Sequence, residues 1–263
     1  MNPRWLDPLA HSLRRGMGRA LADFSMIREG DKVVLGLSGG KDTLVLLHAL
    51  SEFRRRSPVH FELAACTVAF TGMDVSQLED YCRARGVPYM VLRHPILEII
   101  ESRNERSPCS FCANLRRGML NFRAREEGFN KLALGHNLDD AVETFFMNLF
   151  RAGRARSFQP KFFQDRTGIE VIRPLIYARE TSIAEEARRL GLPILLGACP
   201  YAGRTERQRT KEMLAEMKTR VPDIFANVAN ALKTLDSSDR WRVSREERTE
   251  KKERVFRGHR TLG

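Results

Sequence analysis

The chain has 263 residues, 42% of them apolar, enough for one large domain with a real core or a domain with appendages. No run approaches the roughly 18 apolar residues of a membrane span. Residues 1–10 lack a basic segment leading into an apolar one, so no secretory leader is expected and the expected location is cytoplasmic. A formal net charge of +12 points to a polyanionic partner, most simply nucleic acid; the plainer alternative is a solvated basic surface.

Residues 1–30 read as a basic helical lead-in, with Leu13, Met17, Leu21 and Phe24 at helical spacing and Arg14, Arg15 and Arg19 left for the outside. Strands are then expected at 33–37, 61–70, 89–92, 131–134, 171–174 and 192–196. Helices are expected at 42–54, 75–85, 112–127, 138–150 and 183–190, the last closed by Gly191. This alternation predicts an α/β fold, a doubly wound parallel sheet over 31–203 that binds ligands at the carboxyl ends of its strands.

Residues 204–263 would form a basic C-terminal extension, helical over 204–235. The stretch 240–263 has nine Lys/Arg against four Asp/Glu and is expected to be mobile unless RNA or a partner orders it. Segment 151–168 is a basic loop with interleaved aromatics. That mixture suits phosphates and base stacking, or serves as an ordinary connection.

Ser38, Gly39, Gly40, Lys41, Asp42 and Thr43 lie between the first apolar strand and an apolar helix. Two glycines let the backbone approach a ligand. The helix N-terminus offers unpaired N–H groups and Lys41 a full charge, which makes a phosphate cradle. It is not a Walker A loop, because Gly36 is one residue too close and Asp42 follows Lys41; nor is it the dinucleotide pattern. A plain glycine-rich turn is the alternative.

Five cysteines in a cytoplasmic chain are not a disulfide framework. Cys66, on a strand, and Cys82, on a helix, are expected to be core thiols. Cys109 and Cys112 form a C-x-x-C pair on a turn after Pro108, ahead of Arg116 and Arg117. Cys199 follows a short strand and precedes Pro200, so both sites can meet on the face that carries the phosphate cradle. Three thiolates would hold a four-iron cluster with one iron open, to which a ligand such as sulfide could bind. Zinc held by Cys109, Cys112 and a histidine, or a persulfide on Cys109 or Cys199, are rival readings.

Gly135, His136, Asn137, Leu138, Asp139 and Asp140 follow the strand at 131–134 and open a helix. Carboxylates there favour the helix dipole and could hold the Mg²⁺ that accompanies ATP; Asp139 could equally be only a cap. His136 reads as a base, a phosphate contact or a structural histidine.

The Ser38–Thr43 loop resembles the signature of PP-loop ATP pyrophosphatases. In order with the Cys109/Cys112 segment, Gly135–Thr144, Ile172-Arg173-Pro174-Leu175 and Cys199, it resembles the tRNA-cytidine 2-sulfurtransferase family over about residues 15–215. The resemblance implies ATP bound by Ser38–Thr43, with Gly135, His136 and Asp140 alongside. Lys41, Asp42, Cys109 and Cys199 would be catalytic, and Asp139 with Asp140 would lie near Mg²⁺. Cys109, Cys112 and Cys199 would hold a [4Fe-4S] cluster.

The implied reaction activates C2 of cytidine 32 in the tRNA anticodon loop by adenylation and replaces its oxygen with sulfur. Sulfide or a cysteine desulfurase would be the donor, and a homodimer is compatible with this. The rivals are the same ATP chemistry on another base or with an amine nucleophile, and a non-catalytic metal-bearing RNA-binding module. The chain departs from the family in Thr43, where Ser is usual, and in having one cysteine rather than two around Cys199.

Overall fold

The computed structural model describes residues 2–105, 107–195 and 206–234. Strands and helices alternate in the order α1 (His11–Asp23), β1 (Lys32–Gly36), α2 (Lys41–Arg56), β2 (Glu62–Ala69), α3 (Ser76–Ala84), β3 (Tyr89–Arg93), α4 (Ile96–Ser102), α5 (Pro108–Glu126), β4 (Lys131–Ala133) and α6 (Leu138–Ala152). Then come β5 (Lys161–Gln164), β6 (Ile169–Ile172), α7 (Glu180–Arg189), α8 (Glu206–Arg220) and α9 (Ile224–Thr234).

The strands form one sheet in the order β3-β2-β1-β4-β6-β5, parallel except for β5, which pairs antiparallel with β6. Central strands of such a sheet are covered on both faces and read as continuous apolar runs. Accordingly Val33, Val34 and Leu35 are all buried. Their alternation builds two cores. Val33 and Leu35 pack with α1, α2, α3 and α7, while Val34, Cys66 and Leu132 pack with α4 and α5 on the other face.

Strand order runs outward from β1 to β3 on one side and from β4 to β5 on the other. The crevice between the ends of β1 and β4 is therefore a topological switch point, where open α/β sheets bind ligands.

Three expectations are corrected. The described part of 192–196, residues 192–195, is not a strand: β5 already occupies the outer edge of β6, and Pro193 has no N–H to donate. The basic segment 151–168 is not all loop, since it contains β5. The C-x-x-C lies within the first turn of α5 rather than on a preceding turn, because Pro108 occupies the first helical position, where its missing N–H costs nothing. α4 was not anticipated.

The chain divides into two compact units, Met1–Phe225 and Ala226–Gly263; of the second, only the helical residues 226–234 are described. Cys199 and the 240–263 tail lie outside the described residues. Among the described residues no helix is long and apolar enough to cross a membrane.

Candidate active site

β1 ends at Gly36, and the chain turns through Ser38–Gly40 into α2. Gly39 has φ +81°, a left-handed conformation that favours glycine, and its carbonyl accepts the Leu195 N–H at 3.0 Å. The Thr43 hydroxyl accepts the Ser38 N–H at 3.2 Å and donates to the Gly40 carbonyl at 3.0 Å, so it braces the loop from inside. Gly40 caps α2 without a side-chain hydrogen bond. Lys41 Nζ lies 3.0 Å from Asp42 Oδ2 and 2.9 Å from Glu180 Oε1. Burial opposes the lysine's charge, but the two carboxylates outweigh it and the pKa is raised.

The loop after β4 sits directly against this turn. A Cβ on Gly135 would lie 2.9 Å from Thr43 Cγ2 and 3.2 Å from Thr43 N, so only glycine fits. Asn137 then caps α6 through a capping box. Its Oδ1 accepts the Asp140 N–H, and Asp140 Oδ2 accepts the Asn137 N–H, both at 3.0 Å. Asn137 Nδ2 also donates to Asp42 Oδ1 at 2.9 Å, tying the two loops together.

The adjacent carboxylates Asp139 and Asp140 part company. Asp139 is buried and accepts from Arg179 Nε and Nη2 at 3.1 and 3.0 Å and from the Glu180 N–H at 2.7 Å. It pins the start of α7 and is not among the residues lining the cleft. Both Asp139 oxygens are thus engaged by donors at the start of α7, and of the two neighbouring carboxylates Asp140 is the one beside the cleft. Asp140 lines the cleft. Its pKa is raised by burial, against the Asn137 N–H and Arg207, which lower it. Arg207 on α8 spans Asp140 Oδ1 at 3.2 Å and Glu143 Oε2 at 2.9 Å.

His136 stands at the end of β4 beside Arg173 at the end of β6. Arg173 is 2% exposed; it donates from Nε to His136 Nδ1 at 3.3 Å and from Nη1 to the Gln159 carbonyl at 2.5 Å. Its guanidinium lies 4.7 Å from the Phe158 ring centre and 5.2 Å from that of Phe162. Burial, then Arg173, Arg207 and Arg117, push the His136 pKa down to about 3.

These loops form the floor of a cleft of about 330 Å³ whose lining includes Ser38, Asp42, Thr43, Gly135, His136 and Asp140. The opposite wall is α5, through Ala113, Arg116, Arg117 and Leu120.

Residues 10–213 match the PP-loop domain family. A tRNA-cytidine(32) 2-sulfurtransferase from Pelobacter propionicus is 39% identical over 234 residues, which is 87% of this chain and 87% of that protein. One from Geobacter metallireducens is 38% identical over 226 residues, 84% of this chain and 88% of that protein. The chain belongs to the tRNA-cytidine(32) 2-sulfurtransferase family. Among solved structures, the U34-tRNA thiolase NcsA from Methanococcus maripaludis, with its [4Fe-4S] cluster, is similar with a TM-score of 0.70 at 24% identity. The match covers 85% of this chain and 77% of that one, and the likeness is one of fold.

In this member of the 2-sulfurtransferase family, the cysteines divide by environment. Cys66 and Cys82 are core thiols whose burial pushes their pKa values up to about 11 and about 12, which disfavours the thiolate a metal needs. Cys109 is exposed and Cys112 half-buried. At 3.6 residues per turn they continue toward the helix N-terminus the α5 stripe formed by Ala113, Arg116, Arg117 and Leu120, the stripe that walls the cleft. Among the described residues no three His, Cys, Asp or Glu side chains converge on a metal position, so no described histidine completes the zinc reading.

Sequence reasoning missed Glu180 and the roles of Arg173 and Arg207. Arg173 and Arg207 were visible only as parts of motifs, and Glu180 carries no local signal.

Proposed function

We propose that this protein thiolates tRNA, adenylating the C2 oxygen of an anticodon-loop cytidine, position 32, and exchanging that oxygen for sulfur. The observation that carries this reading is that the Ser38–Thr43 loop and the stripe of α5 that Cys109 and Cys112 extend open on one cleft at the switch point. The C2 oxygen of cytidine is a poor leaving group. Its attack on the α-phosphorus of ATP expels pyrophosphate and leaves a C2–O–AMP bond. Addition of sulfide sulfur at C2 and cleavage of that C–O bond release AMP carrying the former oxygen. After loss of the sulfide proton the product is 2-thiocytidine.

The N–H groups at the start of α2, with Ser38, Gly39, Gly40 and Thr43, would cradle the phosphates. Lys41 would offset charge on the departing pyrophosphate. Asp42 and Asp140, both lining the cleft, are the carboxylates suited to Mg²⁺. Cys109 and Cys112, with Cys199, would hold a [4Fe-4S] cluster, which would supply an open iron able to bind sulfide. The donor set fits: two thiols three residues apart on an exposed helical turn. The described residues that flank Cys199 in sequence meet the cleft loops: the Leu195 N–H donates to the Gly39 carbonyl and Arg207 donates to Asp140.

Sulfide or a cysteine desulfurase would supply the sulfur. For tRNA, the loop after α6 doubles back toward the cleft, with Ser157 Oγ donating to the Ala141 carbonyl at 2.7 Å and Phe158 against His136. It presents exposed Arg154 and Arg156 to backbone phosphates. An unpaired loop base is accessible to such a cleft without melting a duplex.

The test is mass spectrometry of nucleosides from tRNA incubated anaerobically with the reconstituted protein, ATP, Mg²⁺ and sulfide. The expected product is 2-thiocytidine, with one AMP and one pyrophosphate per sulfur incorporated. Unmodified tRNA in the presence of iron-loaded, ATP-binding protein would overturn the reading.

A further inference from the structure

His136 lines the cleft, and its Nδ1 faces the Nε–H of Arg173 at 3.3 Å. A guanidinium has five N–H donors and no acceptor, so Nδ1 must offer its lone pair and the imidazole proton must sit on Nε2. Nε2 has no protein hydrogen-bond partner among the described residues. Arg173 cannot turn away to admit the other tautomer. It is buried, carries no carboxylate partner among the described residues, and is held by the Gln159 carbonyl and the rings of Phe158 and Phe162. Phe158 also packs against His136, ring centres 5.0 Å apart.

We infer that Arg173 fixes His136 as the neutral Nε2–H tautomer, which makes His136 a hydrogen-bond donor to an oxygen of the ligand in the cleft and not a proton acceptor. Arg173 is then a positioning residue. The charged groups around His136 agree. Arg173 after β6, Arg207 on α8 and Arg117 on α5 all oppose a second proton. Asp140 on α6, which lines the same cleft, has its carboxylate engaged by the Asn137 N–H and Arg207. A donor of fixed polarity suits an oxygen on which negative charge develops, and its strength does not vary with pH across the physiological range. Only the identity of that oxygen, phosphate or base carbonyl, rests on the proposed thiolation.

The test begins with ¹⁵N-histidine NMR of the full chain without substrate. The expected His136 pattern is the Nε2–H tautomer from about pH 8 to about pH 5. An Nδ1–H pattern, or titration near the ordinary histidine value, would overturn the inference whatever the reaction proves to be. Arg173→Met should release the tautomer, so that an Nδ1–H form appears beside Nε2–H, and Arg173→Lys, which keeps a donor, should hold Nε2–H.

In the second arm, His136→Phe should lose at least about tenfold, and His136→Gln, which keeps an N–H donor, should stay within about threefold of the parent. Loss of affinity for a non-hydrolysable ATP analogue places the acceptor on a phosphate. Loss of turnover at unchanged nucleotide affinity places it on the base. Equal impairment of folded Phe and Gln variants, or none in either, would overturn the donor role.

Discussion

Lys41, the cation of the phosphate loop, is held by Glu180, the first residue of α7, at 2.9 Å. The carboxylate therefore competes with any phosphate for the ammonium group. Lys41→Ala should weaken binding of a non-hydrolysable ATP analogue by about 10- to 100-fold, the range for a charge-assisted hydrogen bond. Glu180→Gln should instead tighten it by about threefold, by removing the competitor and a like charge from beside the phosphates. Calorimetric titration of the two variants checks both signs. Weaker binding by the Glu180 variant would mean that the carboxylate orients Lys41 rather than restrains it.

The separate roles of the two neighbouring aspartates give opposite phenotypes. Asp139→Asn keeps one oxygen but removes the charge that pairs with Arg179 and turns an NH2 group toward a donor, and should cost about 2–3 kcal/mol of stability in urea unfolding. Asp140→Asn keeps an oxygen for the Asn137 N–H, so the capping box largely survives and the cost should be under about 1 kcal/mol. Its defect should appear in the Mg²⁺ dependence of pyrophosphate release.

Replacing cysteines should separate by environment in the same way. Cys109→Ser, Cys112→Ser and Cys199→Ser should each abolish the brown colour and the iron and sulfide content of anaerobically purified protein. Cys66→Ser and Cys82→Ser, at core positions, should retain both at lower stability. Colourless parent protein with stoichiometric zinc would reverse the assignment.

Acid should destabilise the fold before the carboxylates titrate. His48 is fully buried, with Nδ1 2.9 Å from the Tyr81 hydroxyl and Nε2 2.8 Å from the Asp7 carbonyl oxygen. Burial, then Arg85, lowers its pKa to about 4. The unfolded chain takes up the proton first, at about 6.5, so stability is full above that value and is lost as pH falls toward 4. Between about pH 7.5 and pH 5 this group should cost about 2 kcal/mol, and His136 adds in the same sense. His48→Gln should be less stable at pH 7.5 but show a shallower pH slope in urea unfolding.

What could be read from the sequence follows the range over which each signal acts. The phosphate loop, the second acidic loop and the apolar runs of β1 and β2 are local patterns, and the structure places them as expected. α4 escaped because seven residues after Pro95 make too short a pattern. β5 escaped because Lys161, Phe162, Phe163 and Gln164 pair only at the sheet edge and read as part of a basic loop. The clamp of Glu180 on Lys41 joins residues 139 positions apart, and the bridge of Arg207 to Asp140 joins residues 67 apart. Such pairings are set by how helices land on the sheet, which no local spacing encodes.

The contact between Gly135 and Thr43 has a consequence for how such sites diversify. With no side chain at 135, the second loop comes so near the first that an added Cβ would lie 3.2 Å from the Thr43 nitrogen. Substitution at neighbouring positions can retune charge, metal affinity or base preference while Gly135 keeps the two loops in close approach. A methyl group at 135, by contrast, would press on Thr43 and force one of the two loops to give way.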